Sequence, residues 1–231
     1  APKNSKVVLT VHDMIHEKFR DQFPIKDKTS RDKRMAVERA DHVICVSEQT
    51  RYDLIELFEV NPAKISVVHH GFTLSSQVYL EQQPNDIISP FLLYVGRRDG
   101  YKNFEGLLKA YATSSILRPH FGLICFGGGK FTNSEKSLLH HYGLSLERVR
   151  QVSGDDAVLA MYYKLASVFI YPSLYEGFGI PPLEAMSFNC PVACSGVSSI
   201  PEVVGNAAQL FDPANPESIR ESIERVVSDS E

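Results

Sequence analysis

The stretch 171–195, YPSLYEGFGIPPLEAMSFNCPVACS, decides the fold. It is entered through Val168, Phe169, Ile170 and Tyr171, an apolar run of strand composition. Pro172 ends the strand, because proline cannot donate to a ladder. Gly177 and Gly179 then form a loop carrying Glu176, and Pro181 and Pro182 suit the first turn of a helix, where a missing N–H does no harm. Glu184 falls just inside that helix, eight residues after Glu176. Glycines allow close backbone approach and positive φ. A helix start offers unpaired N–H groups and a positive dipole end, which favour anionic oxygens. Two carboxylates beside such a nest do not bind phosphate, but they accept hydrogen bonds from hydroxyls. Phosphate beside hydroxyls describes a nucleotide sugar. A plain strand-to-helix turn with packing glycines and solvated glutamates uses the same residue types, one at a time.

Working outward, strands and helices alternate along the chain, which predicts parallel sheets with helices on both faces. Val7 to Val11 reads as a buried strand with His12 and Asp13 at its carboxyl end, where open α/β sheets bind ligands. His16 and Glu17 are weaker candidates. Residues 18–30 read as a polar surface loop and 31–40 as a basic amphipathic helix, whose face suits solvation or an anionic membrane surface. HVICV at 42–46 is a strand, and Ser47 is a good N-cap for a helix through about Phe58. A short strand from Ile65 to Val68 ends at His69, His70 and Gly71; adjacent side chains on a strand point to opposite faces, which argues against a metal pair. Residues 72–90 are polar with two prolines and form the expected linker between domains 1–84 and 85–231.

The second domain opens with a strand from Phe91 to Val95, then Gly96, Arg97, Arg98 and Lys102 ahead of an amphipathic helix. Arg can fork onto phosphate oxygens and Lys adds a mobile charge, so this loop reads as a diphosphate grip, with Arg98 an extra cation of no evident role. A solvated cationic loop is the plainer alternative. Gly127, Gly128, Gly129 and Lys130 follow the next strand, but Phe131 stands where a P-loop needs Ser or Thr. Residues 132–148 read as a polar helix, Val149 to Ser153 as a strand, and Asp155 and Asp156 as helix caps. Residues 207–211 are a predicted strand and 216–228 an amphipathic helix.

The segment Pro172, Ser173, Glu176, Gly177, Phe178, Gly179, Pro181, Glu184, Ala185, Met186, Pro191, Val192 resembles the signature of retaining glycosyltransferases of family four. Their Glu, seven residues, Glu motif is present. The resemblance covers nearly the whole chain. It extends to "VHD" at Val11–Asp13, to Val46, Ser47, Thr50, Asp53 and Leu54, and to Gly96, Arg97, Lys102 and Asn103. It implies a GT-B-like α/β fold with two Rossmann-type domains, the C-terminal one nearly complete and the N-terminal one partial, as in a fragment of a longer enzyme. It implies a catalytic group of Glu176, His12, Arg97 and Lys102. Donor-binding positions would be Arg97, Lys102, Gly177, Phe178, Gly179, Glu184, Gly71, Gly127 and Ser153. Glu176 and the loop amides would face the donor sugar, Glu184 the ribose, and Ser153 would flank the base. No metal and no separate cofactor are implied. The stretches VHDMIHE and GYKNF resemble bacterial polysaccharide mannosyltransferases, which makes GDP-mannose the first guess for the donor; UDP-glucose and UDP-N-acetylglucosamine fit the same motifs. The acceptor would be a saccharide or lipid-linked saccharide. A nucleotide-sugar-binding module without catalysis, or an epimerase or phosphorylase of the same fold, remains the alternative.

Composition sets the outer bounds. The 231 residues are 43% hydrophobic with a formal net charge of −4, ordinary values for a soluble globular protein with no large basic field for nucleic acid. There is no apolar run of membrane-spanning length, and the first residues do not read as a signal peptide. The four cysteines have no zinc-site spacing and read as reduced thiols of a cytoplasmic protein, one that could associate peripherally with a membrane.

Overall fold

The computed structural model describes residues 5–72, 89–98 and 100–228. The expected linker and the boundary at 84/85 lie largely outside the described residues. The elements in chain order begin with β1 (Val8–Val11), α1 (Ile15–Lys18), α2 (Thr29–Arg39), β2 (His42–Cys45), α3 (Glu48–Phe58) and β3 (Ile65–Val67). They continue with β4 (Phe91–Val95), α4 (Phe104–Thr113), α5 (Leu117–His120), β5 (Gly122–Phe126), α6 (Asn133–His141), β6 (Val149–Val152) and α7 (Asp156–Leu165). The last are β7 (Val168–Tyr171), α8 (Ile180–Ser187), β8 (Val192–Ser195), α9 (Ile200–Val204), β9 (Gln209–Phe211) and α10 (Pro216–Ser228).

The chain divides into two compact units. One gathers Ala1–Gly71 with two segments from far along the sequence, Tyr175–Gly179 and Ser198–Val203. The other holds Phe72–Leu174, Ile180–Val197 and Val204–Glu231.

In the first unit β1, β2 and β3 form a parallel sheet in that order, with Val11 opposite Cys45 and Cys45 opposite Val67. Its core joins Val43 and Cys45 of β2 to Val37 of α2 and to Leu54 and Phe58 of α3. Tyr175 is packed into the same cluster.

The second unit is a six-stranded parallel sheet in the order β6-β5-β4-β7-β8-β9. Succession runs outward in one direction from β4 and in the other from β7, so the topological switch falls between these two neighbours. At such a point the connections leave on opposite faces and open a crevice at the strands' carboxyl ends. The four inner strands β4, β5, β7 and β8 are buried along nearly all their length, as expected under helices on both faces, while the edge strands β6 and β9 are only partly buried. α10 places Ile219, Ser222, Ile223 and Val227 on one buried stripe at helical spacing and packs on α4 and β9. In α4 the fully buried Leu107 and Leu108 each contribute about 2 kcal/mol of burial.

Local chemistry moves two expected boundaries. The stretch 18–30 is not a plain loop: α1 ends within it, a 3₁₀ turn covers Arg20–Gln22, and α2 already starts at Thr29. The Asp27 carboxylate accepts the Thr29 N–H at 2.9 Å, supplying an acceptor at the helix start that holds its own carboxyl below the usual range. The helix expected over 132–148 stops at His141, because Gly143 at φ 64° lets the Leu144 N–H reach the Leu139 carbonyl at 2.9 Å. Its start is fixed by a reciprocal capping box between Thr132 and Glu135. Among the described residues no helix is long and apolar enough to cross a membrane.

All four cysteines are free and buried. Burial pushes the thiols of Cys45, Cys190 and Cys194 up to about 12, and that of Cys125 up as well. Thiolate is the reactive form. A disulfide reagent at pH 8 is therefore expected to titrate none of the four in the native protein and all four in denaturant; rapid native labelling of any one would contradict the burial described.

Candidate functional site

In the second unit, the loops after β4 and β7 are knitted together at the switch point. The Tyr94 hydroxyl donates to the Arg97 carbonyl, and a 3₁₀ turn follows at Gly100–Lys102. Asn103, in the left-handed region at φ 55°, donates its side-chain amide to the carbonyls of Pro172 at 3.0 Å and Pro213 at 2.8 Å. The Leu174 N–H donates to the Tyr101 carbonyl at 2.7 Å. Within this frame the Lys102 ammonium lies 5.7 Å from the ring centroid of Tyr171, the last residue of β7, and 5.2 Å from that of Tyr101.

Arg97 and Arg98 take opposite roles. Arg97 is exposed at a cavity of about 620 Å³ that Arg98, Gly100, Gly128 and Glu135 also line. Arg98 turns inward. Its Nε donates to Glu135 at 2.6 Å and its terminal nitrogens to the carbonyls of Gly127 at 2.9 Å and Gly129 at 2.8 Å, while the guanidinium lies 4.8 Å from the Phe131 centroid. Burial alone would raise the Glu135 carboxyl, but the Thr132 N–H and Arg98 hold it below its ordinary value. The cation with no evident sequence role is thus the post that holds the triple-glycine turn. A side chain at position 128 would put Cβ 2.6 Å from the Gly96 carbonyl oxygen, so the two loops also touch through bare backbone.

Glu184, on α8, accepts a hydrogen bond from the fully buried Tyr163 hydroxyl at 3.0 Å. Burial raises its carboxyl above the ordinary glutamate value against the opposing effect of the tyrosine bond. Ser153 is exposed just past β6 and receives the Gln151 amide at 2.7 Å.

The first unit holds the other candidates. His12 is exposed, stacked on His70 with ring centroids 5.3 Å apart, and its Nδ1 lies 3.3 Å from Nε2 of His70. His70 meets Phe178 edge-on at 5.4 Å. Gly71 follows, exposed, with open space around its α-carbon. Glu176 is buried, and its carbonyl accepts from the hydroxyls of Ser198 at 2.6 Å and Ser199 at 2.9 Å. Ser199 also reaches the Phe178 carbonyl at 2.8 Å. At Gly177 an added Cβ would stand 1.9 Å from the His12 carbonyl oxygen, so the glycine serves a backbone-on-backbone contact. His69 lies 2.6 Å from Glu202, whose carboxylate also accepts the Glu48 N–H at the start of α3.

His12, Gly71, Glu176, Gly177, Phe178 and Gly179 therefore share one unit, and Arg97, Lys102, Gly127, Ser153 and Glu184 share the other. Sequence reading missed Tyr175 and Glu202 and gave Ser47 only a capping role. The spacing Ser47, Thr50, Asp53 was the available signal, since steps of three place side chains on one helix face.

The family model described as Glycosyl transferases group 1 matches residues 79–231, and that described as Glycosyltransferase Family 4 matches residues 1–76. The chain belongs to the group 1 glycosyl transferases. It is 32% identical over 206 residues to the O-antigen chain mannosyltransferase B of Escherichia coli, covering 84% of this chain and 53% of that protein. It is 28% identical over 221 residues to the O-antigen chain mannosyltransferase RfbU of Salmonella typhimurium, covering 94% and 60%. The chain thus spans little more than half the length of these relatives. Among solved structures, the sucrose-phosphate synthase from Thermosynechococcus elongatus aligns with a TM-score of 0.77 at 25% identity, over 99% of this chain and 60% of that one. Anabaena HepE in complex with UDP and glucose aligns at 0.76 over 97% and 62%; at 20% identity this speaks to fold alone. The GT-B architecture and the family expected from the sequence are both borne out.

Arg98→Met removes the guanidinium from Glu135 and from the carbonyls of Gly127, Gly128, Gly129 and Lys130. Losing one partner of a buried pair costs about 3 kcal/mol. Urea unfolding is expected to register a loss of that size; a change below about 0.5 kcal/mol, the scale of a neutral surface substitution, would remove Arg98 from its structural role.

Proposed function

We propose that this chain carries the donor site of a retaining hexosyltransferase that moves mannose from GDP-mannose to a saccharide or lipid-linked acceptor in polysaccharide assembly. The observation that carries the reading is the Lys102 ammonium at the end of β7, on the switch point of a doubly wound sheet. Arg97 and Lys102 would take the diphosphate and neutralise the charge that grows on it as the anomeric bond breaks, a task for fixed cations in place of a divalent metal. Glu184 would accept the ribose hydroxyls. Glu176 and the amides of Gly177, Phe178 and Gly179 would orient the sugar, with His12 as a further partner. Gly71, Gly127 and Ser153 would line the donor through backbone and hydroxyl groups. The mannosyltransferase names of the two bacterial relatives support the choice of sugar.

Ligand that binds only the folded state raises its stability. GDP-mannose should raise the melting temperature more than UDP-glucose or UDP-N-acetylglucosamine at equal concentration. In the full-length protein Lys102→Ala should lower kcat about 100-fold, and EDTA should leave turnover unchanged. Stabilisation by a uridine donor instead, or full turnover by Lys102→Ala, would overturn the assignment.

Glu184 adds a pH signature. Its raised carboxyl binds a proton at higher pH than an ordinary glutamate. As pH falls through that range, protonation removes an acceptor from the ribose and affinity for GDP-mannose should fall. Glu184→Gln should weaken binding and flatten this acid limb; an unchanged limb would take Glu184 out of the site.

A further inference from the structure

The glycine loop Tyr175–Gly179 is fastened by one face of α3. Ser47, Thr50 and Asp53 stand three residues apart, all with no solvent exposure. Ser47 Oγ donates to the Gly177 carbonyl at 2.6 Å and Thr50 Oγ1 donates to the same oxygen at 3.0 Å, so both lone pairs of that carbonyl are used. Ser47 Oγ in turn accepts the Thr50 N–H at 3.0 Å, which fixes its direction. One turn on, the Asp53 carboxylate accepts the Tyr175 hydroxyl at 2.7 Å and is balanced by the Lys18 ammonium at 2.7 Å and the Gln49 amide at 3.0 Å. Glu176 lies between the two fastened residues. A fully buried carboxylate is costly unless every lone pair is engaged, and the anchor that meets this one from the loop is the tyrosine.

We propose that Ser47, Thr50 and Asp53 are positioning residues that hold the Tyr175–Gly179 loop in one conformation and thereby set where the Glu176 carboxylate is presented to the donor sugar. The proposal rests on the donor-site reading for its catalytic consequence, but not for the latch itself. Each of the three contributes without touching substrate. The hydroxyl pair fixes the Gly177 carbonyl, and with it the plane of the Gly177–Phe178 peptide whose N–H belongs to the loop. The carboxylate fixes Tyr175 on the other flank. Neither end of the loop can then rotate without orphaning a buried polar group, which costs more than the bond itself is worth.

The test uses Thr50→Val and Tyr175→Phe, each removing one hydroxyl and little volume, with Thr50→Ser as the conservative rescue. Hydrogen exchange on the unliganded protein reads the latch directly. Amides in 175–179 should exchange about tenfold faster in Thr50→Val and in Tyr175→Phe, those of β1 and β2 should not change, and Thr50→Ser should stay within about twofold of the parent. With GDP-mannose as the probe, kcat should fall about tenfold in the first two variants while KM for the donor moves less than about threefold. Unchanged loop protection, or loss spread evenly through the first unit, would overturn the proposal, as would a faster-exchanging loop with full kcat. If the parent protein does not turn over GDP-mannose, the donor reading fails while the exchange measurement still decides the latch.

Discussion

The Gly177 carbonyl is the point on which the first unit closes. It takes two buried hydroxyls from α3, and the glycine that bears it lies so near the His12 carbonyl that no side chain fits. One backbone group therefore joins the end of β1, the start of α3 and a loop from beyond residue 170. Around it the other contacts are of the same kind. Ser198 and Ser199 hold the Glu176 and Phe178 carbonyls, and Glu202 accepts the first amide of α3 while meeting His69. In loops of this density each buried polar group left unpaired would cost as much as a lost bond. The chain meets that demand with serine, threonine and carboxylate side chains from segments distant in sequence.

The second unit solves a related problem by different means. Its strand order puts the topological switch between β4 and β7, and side chains lend stiffness to the loops that follow these strands. Arg98 provides this from below, spending its donors on Glu135 and the glycine-turn carbonyls. Asn103 provides it from the side by gripping two carbonyls of neighbouring loops. Arg97 is exposed beside the glycine turn, and the Lys102 ammonium stands near the rings of Tyr101 and Tyr171.

Much of this was legible from the sequence where periodicity or punctuation is strong. β7, the start of α8 and the span of α10 follow from an apolar run, a proline pair and a helical stripe. The division of labour between Arg97 and Arg98 was not legible: the two are adjacent and chemically identical, and the partner that draws one inward, Glu135, lies 37 residues away. Tyr175 was hidden for the same reason, since nothing near it announces that Asp53, 122 residues upstream, is its acceptor. Glu176 and Glu184, eight residues apart, fall into different units, and what the spacing did not announce is that buried side chains at Ser47, Thr50 and Asp53 hold the residues on either side of Glu176. Local pattern reports on neighbours along the chain; it is silent about which distant surface will capture a loop.

The bond between the Glu48 amide and Glu202 spans 154 residues. During vectorial synthesis residues 5–71 leave the ribosome well before the segments 175–179 and 198–203 that pack with them, at about 5–20 residues per second. For that interval α3 shows its hydroxyls and its aspartate to water, and the strands beside it wait with part of their cover missing. A nascent chain of this design completes the packing of residues 5–71 only once 175–179 and 198–203 have been made, which prolongs their exposure to chaperones and proteases.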